Sequence, residues 1–242
     1  MKQKPKSKSK TKLGRRAILT AAGSGVAAAT LLEVSPFVQE KTYNPELIRP
    51  PGSLPEEEFL TKCIRCGECM KVCPTNAIHP TTLQGGLAGI WTPIVIPQIG
   101  YCEYSCTLCG QVCPTGAIRP MVVEDGERFL AEDEDRVPIR TGTAHVDRSR
   151  CLPFAYDTDC IVCEEHCPTP TKAIWVEEVT VVDRDGNEVT LRRPHVDPKL
   201  CVGCGFCENV CPINDPAAII VTSGGETRNP GNQFILSLSS EI

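Results

Sequence analysis

Sixteen cysteines dominate the chemistry that this 242-residue chain can perform. The first four lie in CIRCGECMKVCPTNAI, residues 63–78, at positions i, i+3, i+6 and i+10, and a proline follows the last of them. Near-copies of this run begin at Cys102, Cys160 and Cys201, and Cys151 stands upstream of the third run. Internal repetition of this kind is read before any local feature. The cysteines therefore form four groups of four, which we call motifs one to four in chain order.

The four motifs supply sixteen candidate iron ligands. They are Cys63, Cys66, Cys69 and Cys73; Cys102, Cys106, Cys109 and Cys113; Cys151, Cys160, Cys163 and Cys167; and Cys201, Cys204, Cys207 and Cys211. Thiolates at every third residue of a tight loop can hold three irons of a cubane. In bacterial ferredoxins the fourth cysteine of a C-x2-C-x2-C-x3-C-P run binds the other cluster of a pair. The spacing thus predicts four [4Fe-4S] clusters.

Disulfides, zinc, haem and radical chemistry are the alternative uses of these cysteines. A disulfide framework gives no reason for the repeated spacing, zinc sites usually divide their ligands into two distant pairs, and the Cys-x-x-Cys-His string of haem attachment does not occur. The C-x3-C-x2-C of motif two resembles radical-SAM enzymes, but Cys113-Pro114 follows as in the other repeats. Motif three carries an insert, LPFAYDTD, which makes Cys151 the least certain ligand. The histidines at 79, 145, 166 and 195 are expected at strand ends or in loops.

Charge is unevenly distributed along the chain. Eight of the 25 Lys and Arg residues lie within the first sixteen positions, whereas no acidic residue precedes Glu33. The remainder therefore carries 17 basic against 30 acidic residues. An acidic body disfavours nucleic acid and anionic lipid as partners, because both bind basic faces. Solubility and partner docking both remain explanations of the excess acid.

The N-terminal segment, residues 1–35, has the layout of an export signal. The pair Arg15-Arg16 precedes a weakly apolar run from Ala17 to Leu32. That run is shorter than the ~20 apolar residues of a spanning helix. The paired arginines resemble a twin-arginine signal, which a receptor reads. This route carries folded cargo and so suits clusters that are inserted in the cytoplasm, and an uncleaved membrane anchor stays open because no clear cleavage site follows.

Outside the motifs the sequence predicts few regular elements. The segment VTVVDRDGNEVTL, residues 179–191, alternates around Asp185-Gly186 and predicts a hairpin. Short strands are expected in HVDRSRC and HVDPKLC, which lead into motifs three and four. We predict an α+β, loop-rich fold of tandem bacterial-ferredoxin-like two-cluster units over residues 36–223. Residues 224–242 are expected to form a loose tail with an apolar patch at 234–238.

The segment GLAGIWTPIVIPQIGY, residues 86–101, is apolar, carries Trp91 and is interrupted by Pro93 and Pro97. Prolines make it a poor central strand. Two roles are open for it: docking of a membrane partner, or a buried loop that packs on motif two. No nucleotide loop, flavin site or catalytic triad stands out in the chain, so we expect no catalytic site of its own.

Several strings together carry a family resemblance. They are the twin-arginine head, IRPPGSLPEEEFLTKCIRCGECMKVCP, GYCEYSCTLCGQVCPTGAI, the stretched CLPFAYDTDCIVCEEHCP and VDPKLCVGCGFCENVCP. The combination resembles the MauM/NapG family of periplasmic ferredoxin-type proteins over roughly residues 45–222. The resemblance implies a four-cluster electron carrier at the outer face of the cytoplasmic membrane. Its partners would be a NapH-like membrane polyferredoxin that oxidises quinol, and a periplasmic reductase or c-type cytochrome.

A rival reading comes from the β chain of molybdopterin oxidoreductases, an electron-transfer subunit that also has four ferredoxin motifs. In those chains motif one pairs with four and motif two with three. The Pro-rich lead-in to motif one and the prolines before motif two favour the same nested pairing here. We therefore expect Cys211 beside the first three cysteines of motif one and Cys73 beside those of motif four. By the same logic Cys167 joins motif two and Cys113 joins motif three.

Overall fold

Short helices and antiparallel strand pairs frame the four motifs. The computed structural model describes residues 44–182, 184 and 186–232. The helices are α1 (Glu56–Lys62), α2 (Glu68–Lys71), α3 (Gly86–Gly89), α4 (Leu108–Gln111), α5 (Leu152–Ala155), α6 (Val162–Glu165) and α7 (Phe206–Asn209), with a 3-10 turn at Pro230–Asn232. The strands are β1 (Ile78–Pro80), β2 (Pro93–Val95), β3 (Met121–Glu124), β4 (Glu127–Leu130), β5 (Thr143–Val146), β6 (Ile174–Val182), β7 (Glu188–Val196) and β8 (Ile219–Thr222). The predicted α+β, loop-rich class is confirmed. The twin-arginine segment and the patch at 234–238 lie outside the described residues.

Each motif contains one single-turn helix that holds its third cysteine. Helices α2, α4, α6 and α7 bury Cys69, Cys109, Cys163 and Cys207 respectively. A single turn carries the chain from the third to the fourth cysteine. The proline that follows the fourth cysteine cannot extend the helix, because it has no N–H to donate. The chain then leaves each motif through a turn or bend before it reaches the next strand or bridge.

Motifs three and four are joined by two strand pairs. Strand β5 leads into motif three and pairs with β8, which follows motif four, with Thr143 opposite Thr222. Strand β6 follows motif three and pairs with β7, which leads into motif four, with Ile174 opposite Val196. The predicted hairpin and both predicted lead-in strands are confirmed. The two pairs hold motifs three and four side by side.

Motifs one and two follow the same plan with shorter strands. Strand β1 after motif one pairs with β2 before motif two, and the prolines at 80 and 93 face each other at the end of the pair. Proline is tolerated there because the first residue of a short strand need not donate to a ladder. An isolated antiparallel bridge joins Ser53, before motif one, to Ile118, after motif two. This bridge is the counterpart of the β5–β8 pair.

A further hairpin lies between the two halves of the protein. We call the part built on motifs one and two the first half and the part built on motifs three and four the second half. Strands β3 and β4 pair with Met121 opposite Leu130 and Glu124 opposite Glu127. Asp125 and Gly126 connect them with φ values of 51° and 86°, and Asp-Gly is a favoured pair for such a two-residue turn. Val123 and Arg128 face each other in the middle of this hairpin.

Arg49, from the RPPG lead-in, ties the start of the described chain to motif one. Its side chain is fully buried and donates to Glu56 Oε2 at 3.1 Å, Thr92 Oγ1 at 2.8 Å and the Pro93 carbonyl at 2.8 Å. The guanidinium also lies 4.7 Å from the ring centroid of Phe59. Because Glu56 opens α1 and Pro93 opens β2, one buried cation fixes both elements relative to the lead-in.

The expected loose tail is wrong for residues 224–232. Arg228 bridges two carboxylates, with Nη1 2.9 Å from Glu56 Oε2 and Nε 2.7 Å from Glu226 Oε2. The buried Asn232 amide donates to the Ser223 carbonyl at 2.7 Å. The contact between Arg228 and Glu56 spans 172 residues of sequence, so the local composition of the segment gave no sign of it. Residues 224–232 belong to the body of the protein.

The two halves meet in one compact unit that starts at Asn44. The rings of Tyr101 and Phe206 stack with centroids 3.9 Å apart and an interplanar angle of 5°. The Asn209 amide donates to the Pro97 carbonyl at 3.1 Å. Gly205 has a positive φ of 81°, and a Cβ there would lie 2.8 Å from the Cβ of Pro97. Only glycine allows motif four to approach this close to the lead-in of motif two.

Gly205→Ala is predicted to destabilise the protein more than Gly67→Ala. Both glycines precede the single-turn helix of their motif with φ near 80°, but a Cβ on Gly67 would meet no atom within 4 Å. Each alanine costs ~1–2 kcal/mol in the left-handed conformation. Gly205→Ala adds an overpacking cost of ~1–3 kcal/mol at the junction of the halves. The temperature at which cluster absorbance is lost under argon measures the difference, and equal temperatures for both variants would contradict this packing.

Candidate iron-sulfur sites

Motif one shares a cavity with a cysteine of motif two. Cys63, Cys66, Cys69 and Cys113 line this cavity together, and we call it site A. Helix α2 positions Cys69 in this site. Cys113 of motif two, followed by the turn at Pro114, lines the same cavity. Cys66 is exposed, whereas the other three sulfurs are at least partly covered.

Two further cavities repeat this arrangement. Site B is lined by Cys102, Cys106, Cys109 and Cys73. Site D is lined by Cys151, Cys160, Cys163 and Cys211. Each of sites A, B and D thus brings together the first three cysteines of one motif and the last cysteine of another. Cys151, the least certain of the sixteen from sequence, therefore lies with the other cysteines of its motif.

The remaining four cysteines form site C. Cys167 lies close enough to Cys201, Cys204 and Cys207 to raise the pKa of each thiol, although burial is the larger cause. Three of these four residues are buried and Cys167 is partly buried. Site C has the most buried cysteines of the four sites, and site A contains the exposed cysteine.

The nested pairing is wrong. Cys113, and not Cys211, lies beside the first three cysteines of motif one, and Cys211 lies with motif three. Consecutive motifs pair because each needs an antiparallel strand connection to its partner. The β1–β2 pair and the Ser53–Ile118 bridge provide it in the first half, despite the prolines on which the nested expectation was based. Each last cysteine crosses to the other site of its own pair, as in two-cluster ferredoxins.

Burial and mutual crowding of the thiols favour the binding of iron. Burial raises the pKa of Cys69 to about 12, and the neighbouring Cys63, Cys66 and Cys113 add to the rise. Burial and the neighbouring Cys160 and Cys211 similarly raise the pKa of Cys151 to about 11. Four crowded thiolates are unfavourable without a cation between them, and soft thiolate ligands select iron-sulfur clusters. All sixteen cysteines are unpaired, so every sulfur is free to ligate.

The crossing cysteines receive hydrogen bonds from the turns that follow them. The Ala77 amide donates to Cys73 Sγ at 3.3 Å, and the Ile118 amide donates to Cys113 Sγ at 3.4 Å. Although burial raises the pKa of Cys113, amide donors from Ile118, Thr115 and Ala117 outweigh it and lower that pKa. Such second-layer donors hold a ligating sulfur in place and tune the metal.

Neighbouring sulfurs link the four sites in one order. Sites A and B are neighbours because Cys113 and Cys73 cross between motifs one and two, and sites C and D are neighbours because Cys211 crosses from motif four to site D. Between the halves, the Cys102 amide of site B donates to the Cys204 carbonyl of site C at 2.7 Å. The sites therefore follow one another as A, B, C and D.

The departures of motifs two and three from the simple run have structural causes. The extra residue in motif two places Tyr104 against Val202 and Cys204 at the junction of the halves. The insert of motif three forms α5 and packs on β7, where Asp159 accepts hydrogen bonds from Arg192. Neither departure separates a cysteine from its site.

Sequence reasoning missed Arg128. This residue lies on β4, and its Nη1 donates to Cys102 Sγ at 3.1 Å. The signal that could have found it is the Asp125-Gly126 pair between VV and the alternating ERFL, which predicts a hairpin directly after motif two.

Residues 86–91, which comprise α3 and the two residues after it and which we call the 86–91 loop, lie beside motif one. The Arg65 guanidinium donates to the carbonyls of Ala88 at 2.8 Å and Ile90 at 2.9 Å, which fastens the loop to motif one. Trp91 is 66% exposed and Leu87 is 83% exposed. The alternative of a buried loop packed on motif two is therefore wrong for residues 86–91, while Ile94 and Val95 of the same segment are buried.

Comparisons with known proteins agree with this geometry. Two 4Fe-4S binding domain models match residues 59–79 and 193–219. The chain is 30% identical to the methylamine utilization ferredoxin-type protein MauM of Methylorubrum extorquens, over 96% of this chain and 99% of that protein. It is 32% identical to the ferredoxin-type protein NapG of Escherichia coli K12, over 70% and 68% respectively, and 30% identical to MauM of Paracoccus denitrificans, over 90% and 93%.

The chain belongs to the MauM/NapG family of ferredoxin-type proteins. The predicted resemblance is confirmed, and with it the class of protein: a ferredoxin-type electron-transfer protein whose cysteines support [4Fe-4S] clusters. A [4Fe-4S] cluster supplies one-electron transfer, and this member of the family would hold it with three thiols of one motif and one of its neighbour.

Two other features complete the description of the sites in this MauM/NapG family member. Over residues 44–182, 184 and 186–232, no helix has the length and apolar character needed to cross a membrane. The histidines lie on strands or in a loop and bond to other groups, for example His79 to the Asn76 carbonyl and His195 to Glu177.

Paired cysteine substitutions are predicted to report which sulfurs share a cluster. Since each cubane contains four irons, the wild-type protein should bind ~16 irons, and Cys66→Ala or Cys113→Ala alone ~12. The double variant Cys66→Ala/Cys113→Ala should also retain ~12 irons, because both changes damage site A. Cys66→Ala/Cys211→Ala should retain ~8 irons, because sites A and D are both damaged. The iron content of each variant is measured after anaerobic purification. Stoichiometric zinc, or more iron in Cys66→Ala/Cys211→Ala than in Cys66→Ala/Cys113→Ala, would contradict the assignment.

Proposed function

We propose that this chain relays electrons through four [4Fe-4S] clusters in the periplasm, between a NapH-like membrane protein that oxidises quinol and a periplasmic reductase or c-type cytochrome. The observation that carries the proposal is the order A, B, C, D. Motifs one and two exchange cysteines between sites A and B, the Cys102 amide of site B donates to the Cys204 carbonyl of site C, and Cys211 of motif four lies in site D. A chain of one-electron centres with two separate ends is suited to connect two partners. The chemistry of quinol and of the terminal acceptor belongs to those partners.

The end at site A suits the membrane partner. Cys66 is the exposed cysteine of the sixteen. Ile64 on the same loop is 63% exposed, and Leu87 and Trp91 stand on the loop that Arg65 fastens beside it. Exposed apolar side chains gathered in this way mark interaction surfaces. The partner would cover them and bring its own redox centre to the exposed sulfur.

The end at site D suits a different partner. Val146 and Pro194 line both the site D cavity and an open groove next to it. The groove is bounded by Arg148, Lys199 and Trp175, and the Trp175 ring stacks on His195 with centroids 4.5 Å apart. Because Arg148 and Lys199 outnumber the one carboxylate of the groove, Asp197, the groove is net basic on an otherwise acidic body and offers charge complementarity to an acidic reductase or cytochrome.

The rival function, the β subunit of a molybdopterin oxidoreductase, has less support. Sequential pairing removes the nested arrangement that this chain was expected to share with those subunits. The relatives at about 30% identity carry the name ferredoxin-type protein.

Trp91→Ala is predicted to slow reduction of the clusters by quinol. Membrane vesicles that contain the NapH-like protein would be mixed with purified protein, and cluster bleaching followed after addition of quinol. Truncating a central aromatic residue of an interface commonly costs ~2 kcal/mol or more, hence a loss of at least ~10-fold in affinity. The matched control is Trp175→Ala, since Trp175 is 51% exposed at the other end.

Dithionite should reduce both tryptophan variants as it reduces wild type, because folding and clusters are intact. A slow Trp175→Ala with a normal Trp91→Ala would reverse the two ends. Unchanged rates for both would contradict the proposed docking.

Replacing Arg15 and Arg16 together by lysine is predicted to leave the protein in the cytoplasm with its clusters intact. The change keeps the charge and removes only the pair that the export receptor reads. Replacing Lys4 and Lys6 by glutamine is the control, which alters charge but keeps the pair and should not impair export. Fractionation with iron analysis measures both, and normal export of the double-lysine variant would contradict twin-arginine recognition.

A further inference from the structure

Arg128 occupies an enclosed position at the junction of the two halves. It is the second residue of β4, opposite Val123 of β3, and only 3% of it is exposed. The hairpin that carries it follows motif two and is not one of the strand pairs that join consecutive motifs. The side chain therefore reaches motif two from an added element.

The guanidinium faces sulfur at the junction. Nη1 donates to Cys102 Sγ at 3.1 Å and lies 3.4 Å from the Cys106 carbonyl, both in site B. Burial lowers the pKa of Arg128, but the sulfurs of Cys102, Cys109 and, from site C, Cys204 outweigh burial and raise it. Among the residues that the structure describes, no carboxylate forms an ion pair with Arg128.

Two buried donors at this junction lack a protein acceptor. They are Nη2 of Arg128 and the hydroxyl of Tyr104, which packs on Cys204. A buried cation without compensation is strongly unfavourable, and an unpaired buried donor costs ~1–3 kcal/mol. Iron-sulfur clusters at sites B and C would carry the negative charge and the acceptor sulfur that these groups lack.

We propose that Arg128 raises the reduction potentials of the two central clusters, at sites B and C, and of site B most. This inference rests on the proposed function, because it concerns clusters held by these cysteines. Each one-electron reduction adds a negative charge, and a buried guanidinium stabilises that charge. Hydrogen bonds to ligand sulfurs and solvent exposure are what set cluster potentials over a wide span.

The contact is specific to the centre of the chain of sites. Site A has a nearby arginine, Arg65, but its guanidinium donates to the carbonyls of Ala88 and Ile90 at the surface. Arg128 thus makes sites B and C favourable places for an electron that arrives from site A. One electron would leave the cluster at site A and enter the cluster at site B, so no further reductant is needed.

An EPR-monitored redox titration of the purified protein tests the role of Arg128. Arg128→Met removes the charge and the donors, Arg128→Lys keeps a charge but loses the planar fork, and Arg136→Met removes a 46%-exposed arginine downstream of the same hairpin as a control. The EPR signal that is missing from the Cys73→Ala variant identifies the cluster at site B. Iron analysis of each variant checks that its clusters are present.

Arg128→Met should make reduction at site B at least tenfold less favourable, a fall of ~59 mV for one electron, with a smaller fall at site C. Arg128→Lys should shift the same two potentials by less, and Arg136→Met should shift none. Unchanged potentials in an iron-replete Arg128→Met would overturn the proposal. Loss of about four irons from both Arg128 variants would also overturn the proposal, because Arg128 would then be needed for cluster assembly. The titration needs no partner protein, so a failure of the docking proposal leaves it unaffected.

Discussion

The crossing of each fourth cysteine to the neighbouring motif is the constraint on which the rest of the structure depends. Cys113 can reach site A, and Cys73 site B, only if motifs one and two lie face to face. Antiparallel strand pairs at both ends of each pair of motifs provide that placement, with β5–β8 and β6–β7 in the second half and their shorter counterparts in the first. The core is correspondingly thin, and cysteines make up much of it. Cluster binding and folding are therefore closely coupled in this protein.

The junction between the halves joins the two pairs of sites into one continuous series. It is built from contacts that no single motif specifies: the Tyr101–Phe206 stack, the close approach that Gly205 permits, and Arg128 from an added hairpin. The extra residue of motif two places Tyr104 in the same region. These features bring sites B and C together and leave sites A and D at opposite ends of the order, where two chemically different surfaces adjoin them.

Much of this site could be predicted from the sequence, because thiol spacing is a local property. The grouping of the cysteines, the α+β class and the hairpin around Gly186 needed only patterns within short windows. The pairing of the motifs could not be predicted correctly, because Pro93 does not break a strand but is the first residue of β2, and because the lead-in to motif one pairs through a single bridge at Ser53. The anchoring of residues 224–232 by Arg228, and the reach of Arg128 into site B, depend on partners far away in sequence.

The most direct test of the ordered chain of sites is anomalous X-ray diffraction at the iron edge from crystals grown without oxygen. The account predicts four iron peaks that follow one another in the order A, B, C, D. The first should lie among Cys63, Cys66, Cys69 and Cys113, and the last among Cys151, Cys160, Cys163 and Cys211. A peak shared by motif one and Cys211, or an arrangement in which the sites held by motifs two and four are not neighbours, would contradict it.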